Sequence, residues 1–162
     1  GDLEQDCSEA MRGCDAVIFT AGSGPHTGPD KTIDVDQDGA IRLVDTAKAM
    51  GIKRFIMVSS MRAEEPEKGP EKLQHYLRAK RNADEHLKSS GLNYTIVRPG
   101  RLTNDDGNGK VSVSERLDAF GEIPRQDVAR VLLAVLDSDN TGNCVFDVVS
   151  GDVPVRDALA NL

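Results

Sequence analysis

Asp15-Ala-Val-Ile-Phe-Thr-Ala21 is a short, nearly continuous apolar run that stops at Gly22. Such a run predicts a strand buried on both faces, as in a parallel sheet. Arg54-Phe-Ile-Met-Val-Ser59 repeats the pattern. So do Tyr94-Thr-Ile-Val-Arg98, just before Pro99-Gly100, and Cys144-Val-Phe-Asp-Val-Val149. Between these runs the apolar spacing is helical. Ala40, Ile41, Val44 and Ala47 form one stripe, ending near Gly51. Leu73, Leu77, Ala83 and Leu87 mark a polar-rich helix that ends at Gly91. Val128, Val131, Leu132, Val135 and Leu136 fall at i, i+3, i+4, i+7 and i+8 behind Pro124, and a last helix is expected after Pro154. Strands alternating with helices indicate βαβ units and an α/β fold with a doubly wound parallel sheet. The one long irregular stretch runs from Gly100 to Glu122, with Asp105-Asp106-Gly107-Asn108-Gly109 read as a turn.

The 162 residues suit one domain spanning 1–162. A hydrophobic content of 38%, evenly spread, is too high for a disordered chain. A formal net charge of -7 argues against nucleic acid as a partner, because phosphate binding wants a basic face. No apolar run approaches the ~18 residues of a membrane span, so no membrane partner is expected. Cys7, Cys14 and Cys144 are odd in number and have no His in ligand spacing. That pattern disfavours a disulfide framework and a zinc site, and favours a reducing, cytoplasmic setting. The expected partner is a small-molecule substrate, the expected assembly a monomer or homodimer, and no metal is expected.

The constellation with chemical content is Tyr76-Leu-Arg-Ala-Lys80, behind a strand that ends in Val58-Ser59-Ser60. Residues i and i+4 share a helix face, so Tyr76 and Lys80 can project into one site. This pair suits proton transfer to or from a carbinol or carbonyl oxygen. A free phenol titrates near ~10, too high for a useful base at neutral pH. A nearby ammonium favours the phenolate, and a Ser hydroxyl at the strand end can hydrogen-bond the substrate oxygen.

The sequence resembles the short-chain dehydrogenase/reductase superfamily, in its atypical and extended branch of NAD(P)-dependent epimerase/dehydratase-like proteins. The resemblance is carried by Gly1-Asp2-Leu3, Cys14 to Gly22, Lys53 to Ser60, Tyr76-x-x-x-Lys80 and Val97-Arg-Pro-Gly100. Pro124-Arg-Gln-Asp-Val-Ala129 and Val149-Ser-Gly-Asp152 continue it, so the segments follow the family's order along nearly the whole chain. It implies a Rossmann-like domain that binds NAD or NADP. Asp2 and Leu3 would end the third strand, with Asp2 near the adenine, and Thr20, Ala21 and Gly22 would line the cofactor. Ser60, or else Ser59, would match the catalytic Ser, Tyr76 the acid/base and Lys80 its partner and the holder of the nicotinamide ribose. Pro99 and Gly100 would turn against the nicotinamide. The implied activity is hydride exchange with a small carbonyl or alcohol, the substrate lying over the Asn104 to Glu122 stretch. The other reading is a non-catalytic NAD(P)-binding redox sensor or regulatory protein.

Two departures stand out. The Gly-rich dinucleotide loop that should follow the first strand does not occur in the chain. If Gly1-Asp2-Leu3 closes the third strand, about two βα units lie upstream, roughly 60 residues at ~30 per unit. The chain is then expected to be the carboxyl-terminal portion of the domain. Asp36 also stands where extended members often carry an Asn. Gly22-Ser-Gly24-Pro-His-Thr-Gly28 imitates a phosphate loop, but Pro25 and Pro29 disfavour the helix start such a loop needs, and His26 is expected near ligand. Asp34-Val-Asp-Gln-Asp-Gly39 with Asp45 imitates a calcium loop, although the terminal Glu is absent. It reads more simply as the solvated start of a helix, with acids favoured by the dipole.

Overall fold

The computed structural model of the protein describes residues 2–24 and 27–162. The chain forms two compact units, Gly1–Met57 with Arg62–Tyr94, and Val58–Met61 with Thr95–Leu162. His26 lies outside the described residues.

In the first unit α1 (Ser8–Met11) precedes β1 (Ala16–Phe19). A helical turn, α2 (Pro29–Lys31), runs into a π-helical segment, Thr32–Gly39, which continues as α3 (Ala40–Ala49). Then follow β2 (Arg54–Val58), two short 3₁₀ turns and α4 (Gln74–Ser89). β1 and β2 pair in parallel, with Ala16 opposite Arg54 and Phe19 opposite Met57. Phe55, Ile56 and Met57 are buried, as a strand covered on both faces requires. β1 departs from that expectation at Ile18, which is 39% exposed. The reason is its place in the sheet: among the described residues β1 pairs with β2 alone and forms an edge. The buried face of α4 carries Leu77, Ala83 and Leu87, and on the same face Lys80 and Asp84. Leu73 is exposed, because it ends the preceding 3₁₀ turn and lies outside the stripe.

The second unit is built on β3 (Asn93–Pro99), from Thr95 onward, with β4 (Arg101–Thr103), β5 (Lys110–Ser114), β6 (Glu122–Pro124) and α5 (Arg125–Leu136). β7 (Cys144–Ser150), β8 (Val153–Pro154) and α6 (Val155–Ala160) complete it. β3 and β7 are parallel, Thr95 facing Cys144 and Pro99 facing Val148. The expected α/β fold is present with a mostly parallel sheet, in which β5 runs antiparallel to both β7 and β8. One expectation needs correction: the stretch after Gly100 is not irregular throughout, for it contains β4 and β5, and β4 pairs in parallel with β6. Lys110-Val-Ser-Val-Ser114 alternates with a period of two, and its Val111 is buried. Val128, Val131, Leu132 and Val135 of α5 are buried, and α6 packs on α5 with Val155, Ala158 and Leu159 inside. The whole is a mixed α/β fold with a mostly parallel sheet.

Candidate active site

Lys80 occupies a position of α4 that faces the core and is only 4% exposed. An ammonium taken out of water needs a counter-charge and hydrogen-bond partners. The π-helical segment supplies one: Asp36, fully buried, places Oδ1 2.9 Å from Lys80 Nζ. This is an ion contact without hydrogen-bond alignment, as Oδ1 receives no hydrogen bond. The other oxygen, Oδ2, accepts the Ser23 backbone N–H at 2.9 Å and the Ser23 hydroxyl at 2.8 Å. Ser23 Oγ lies 3.3 Å from Thr32 Oγ1 at the start of the same segment. One carboxylate thus ties together the loop after β1, the π-helical segment and α4. Lys80 Nζ also stands over two rings, 5.7 Å from the centroid of Tyr76 and 5.9 Å from that of Phe19.

Asp36 was expected on a solvated helix start, and its burial corrects that reading. π-Helical turns bond i to i+5 and occur frequently at functional sites. Here the segment leaves Ile33 exposed and buries Thr32, Asp36 and Gly39, the reverse of what residue polarity predicts. Because Asp34, Asp36 and Asp38 lie within a helix, they do not form a calcium loop. Among the described residues no cluster of three metal-ligating side chains occurs.

Thr20, Ala21 and Gly22 follow the carboxyl end of β1, the end at which open α/β sheets bind ligands. Thr20, Gly22 and Gly24 are exposed, and Ser23 anchors the loop from below. A Cβ at Gly22 would come within 3.1 Å of Asp36 Oδ1, so a larger residue there would press on the ion pair. Asp2 and Leu3 form a turn in which the Asp2 carboxylate accepts the Glu4 N–H at 3.0 Å, and no strand pairing of this segment is seen among the described residues. The Leu3 carbonyl accepts a hydrogen bond from Arg42 of α3. His75, next to Tyr76, is exposed.

In the second unit Ser59 is buried and donates its N–H to Val97 O at 2.8 Å, while Met61 donates to Pro99 O at 3.0 Å. The Ser59-Ser60 segment therefore runs beside Pro99-Gly100. Ser60 is half-buried and its hydroxyl lies 3.4 Å from Met61 O. At Gly100 any Cβ would sit 2.1 Å from Gly121 O, a backbone approach that only glycine allows. Sequence reasoning missed Ser23 and Asp127. Asp127, buried in the first turn of α5, accepts the Asn108 N–H at 3.1 Å and the Gly109 N–H at 2.8 Å, and pairs with Arg130 at 2.6 Å. The signal was the Gly107-Asn108-Gly109 turn with an acid waiting at a helix start. Burial, and then the charge of Glu115, pushes the Cys144 thiol up, away from nucleophilic thiolate chemistry.

Comparison with known proteins identifies the family. "Uncharacterized sugar epimerase YhfK" of Bacillus subtilis is 49% identical over 158 residues, covering 98% of this chain and 73% of its own. A solved structure described as "Putative NAD-dependent epimerase/dehydratase from Bacillus halodurans" shares 48% identity with a TM-score of 0.98, covering all of this chain and 76% of that one. The crystal structure of the oxidoreductase ylbE from Lactococcus lactis follows at 29% identity and a TM-score of 0.90, covering 100% of this chain and 75% of that one. The sequence model described as NAD(P)H-binding matches residues 1–139, and the chain belongs to that family of NAD(P)-binding, Rossmann-like, epimerase/dehydratase-like proteins.

Proposed function

We propose that the protein is an NAD(P)-dependent oxidoreductase of the short-chain dehydrogenase type, acting on a small carbonyl or alcohol compound. The observation that carries this reading is the pairing of Tyr76 with a buried Lys80 whose Nζ lies 5.7 Å from the phenol ring. The residues present fit a dinucleotide. The Lys80 ammonium has three donors and makes an ion contact, not an aligned hydrogen bond, with Asp36, so Lys80 retains donor capacity suited to ribose hydroxyls. The small residues Thr20, Ala21 and Gly22 let a ligand approach the backbone at the end of β1. Asp2, Ser59, Pro99 and Gly100 are assigned to the same cofactor. When bound, the nicotinamide supplies or accepts a hydride. Tyr76 exchanges the proton of the substrate oxygen, Ser60 donates a hydrogen bond to that oxygen, and Lys80 fixes the position of the phenol.

The test is nicotinamide absorbance across a panel of small aldehydes, ketones and quinones, with each of NADH and NADPH. Turnover is expected on at least one, and Tyr76→Phe should lower kcat by about 10²–10⁴, the range of a general acid. Full activity in Tyr76→Phe would remove the assigned role. Cofactor binding with no turnover anywhere on the panel would instead support a redox-sensing protein.

A further inference from the structure

We infer that Asn108 is a deamidation site of this chain, poised by its own turn and latched by Asp127. The inference does not depend on the oxidoreductase reading. Asn108-Gly109 is the one Asn-Gly pair in the sequence, and Asp106-Gly107, open to the same cyclisation, stands directly before it. A glycine after Asn or Asp leaves its amide nitrogen open to the side chain, because no Cβ shields it. The other Asp-Gly pair, Asp38-Gly39, lies inside a helix that holds its backbone. In the turn both glycines are imposed by the fold. A Cβ at Gly107 would lie 2.5 Å from Asp127 Oδ1 and 2.8 Å from an Arg130 guanidinium nitrogen, and Gly109 has a φ of +76°.

Each of the two susceptible amides is held by the first turn of α5. The Gly109 N–H donates to Asp127 Oδ1 at 2.8 Å, and the Gly107 N–H donates to Gln126 Oε1 at 3.0 Å. Asp127 is buried and fixed from two further directions: its Oδ2 accepts the Asn108 N–H at 3.1 Å, and Arg130 closes on Oδ1 at 2.6 Å. The group under attack is the opposite case. Asn108 is exposed, and its Oδ1 accepts the Lys110 N–H at 2.9 Å, which draws electron density away from Cγ. The electrophile is activated while the nucleophile is restrained.

The reaction needs only water. The Gly109 nitrogen loses its proton to solvent base and bonds to Asn108 Cγ, the Cγ–Nδ2 bond breaks, and ammonia leaves with a proton from water. Water then opens the cyclic imide at one carbonyl or the other, leaving aspartate or isoaspartate. A nitrogen whose proton points at a buried carboxylate deprotonates reluctantly, since negative charge would face negative charge. It also cannot swing towards Cγ without breaking its bond to Asp127. The product places a new carboxylate in a turn that already holds Asp105, Asp106 and Asp127, and isoaspartate adds a methylene to the backbone just ahead of β5.

The experiment ages the full chain at neutral pH. Peptide mapping by mass spectrometry follows deamidation at Asn108, and labelling by an isoaspartate methyltransferase follows Asp106. A synthetic peptide of residues 104–112 is the unlatched reference. In the folded wild type Asn108 should deamidate more slowly than in the peptide by about tenfold or more, because two hydrogen bonds must first be lost. Asp127→Ala should bring the rate most of the way to that of the peptide, and Asp127→Asn, which keeps an acceptor oxygen, should fall between. Gln126→Ala should leave Asn108 slow and raise isoaspartate at Asp106. Val131→Ala, which removes buried volume further along α5, should leave both sites slow. Wild-type deamidation at the peptide's rate would overturn the proposal. So would an Asp127→Ala chain that stays slow, equal acceleration in Val131→Ala, or Gln126→Ala acting on Asn108 as strongly as on Asp106.

Discussion

Lys80 and Asp36 illustrate how a single buried charge constrains a fold. Neither side chain is stable where it sits without the other, since breaking a buried pair leaves an uncompensated charge, at a cost of about 3–5 kcal/mol. Lys80→Met should therefore destabilise the protein by roughly that amount in urea denaturation. Adding Asp36→Asn should recover more than half of the loss, because the stranded carboxylate is then gone. Additive destabilisation by the two substitutions would mean that the contact contributes little. By the same reasoning Asp36→Asn alone should also destabilise the protein in urea denaturation. An amide could still accept from Ser23, but it would leave the ammonium unbalanced in the core.

At the scale of elements, legibility followed the strength of the pattern. The four apolar runs became β1, β2, β3 and β7, and the helical stripes became α3, α4, α5 and α6. Short apolar runs alternating with helical stripes have one economical burial, in an α/β sheet. Tyr76 and Lys80 were readable because helical periodicity puts i and i+4 on one face. What stayed hidden depends on partners far away in sequence. Nothing local in Thr32–Gly39 announces i to i+5 bonding, and the burial of Asp36 is decided by Lys80, 44 positions later (80 − 36). The antiparallel β5 was masked by the acidic, Gly-rich turn before it. That turn is shaped by Asp127, whose carboxylate accepts the Asn108 and Gly109 amides. Asp127→Ala should cost roughly 1–3 kcal/mol for the orphaned donors. It should also remove hydrogen-exchange protection from those two amides before the rest of β5 is affected. Unaltered protection at Asn108 and Gly109 would show that β5 pairing alone shapes the turn.

For the molecule as a whole, bound NAD(P) should raise the stability of the fold. A ligand that binds only the folded state stabilises it by RT ln(1 + [L]/Kd), about 2.7 kcal/mol at one hundred times Kd. In a domain of this size that is a rise in Tm of roughly 5–10 °C. Whichever of NADH and NADPH gives the larger rise at equal concentration is the preferred cofactor. Tm alone does not say where the ligand sits, and hydrogen exchange with and without cofactor does. Within the first unit, protection should grow at Thr20–Gly24, whose exposed backbone follows β1, and around Tyr76 and Lys80 on α4. Within the second, it should grow at Ser59, Ser60 and Gly100, which share one strip of backbone through the Ser59 to Val97 and Met61 to Pro99 hydrogen bonds. The rest of the second unit, α5 and α6 above all, should be little changed beyond the global gain. Protection confined to the first unit would withdraw Ser60 and Gly100 from the site and leave Tyr76 and Lys80 to be explained by cofactor binding alone. Protection in both, lost at the first unit's loop in Asp36→Ala, would locate Ser23 and its carboxylate anchor as the device that holds the loop ready for the nucleotide.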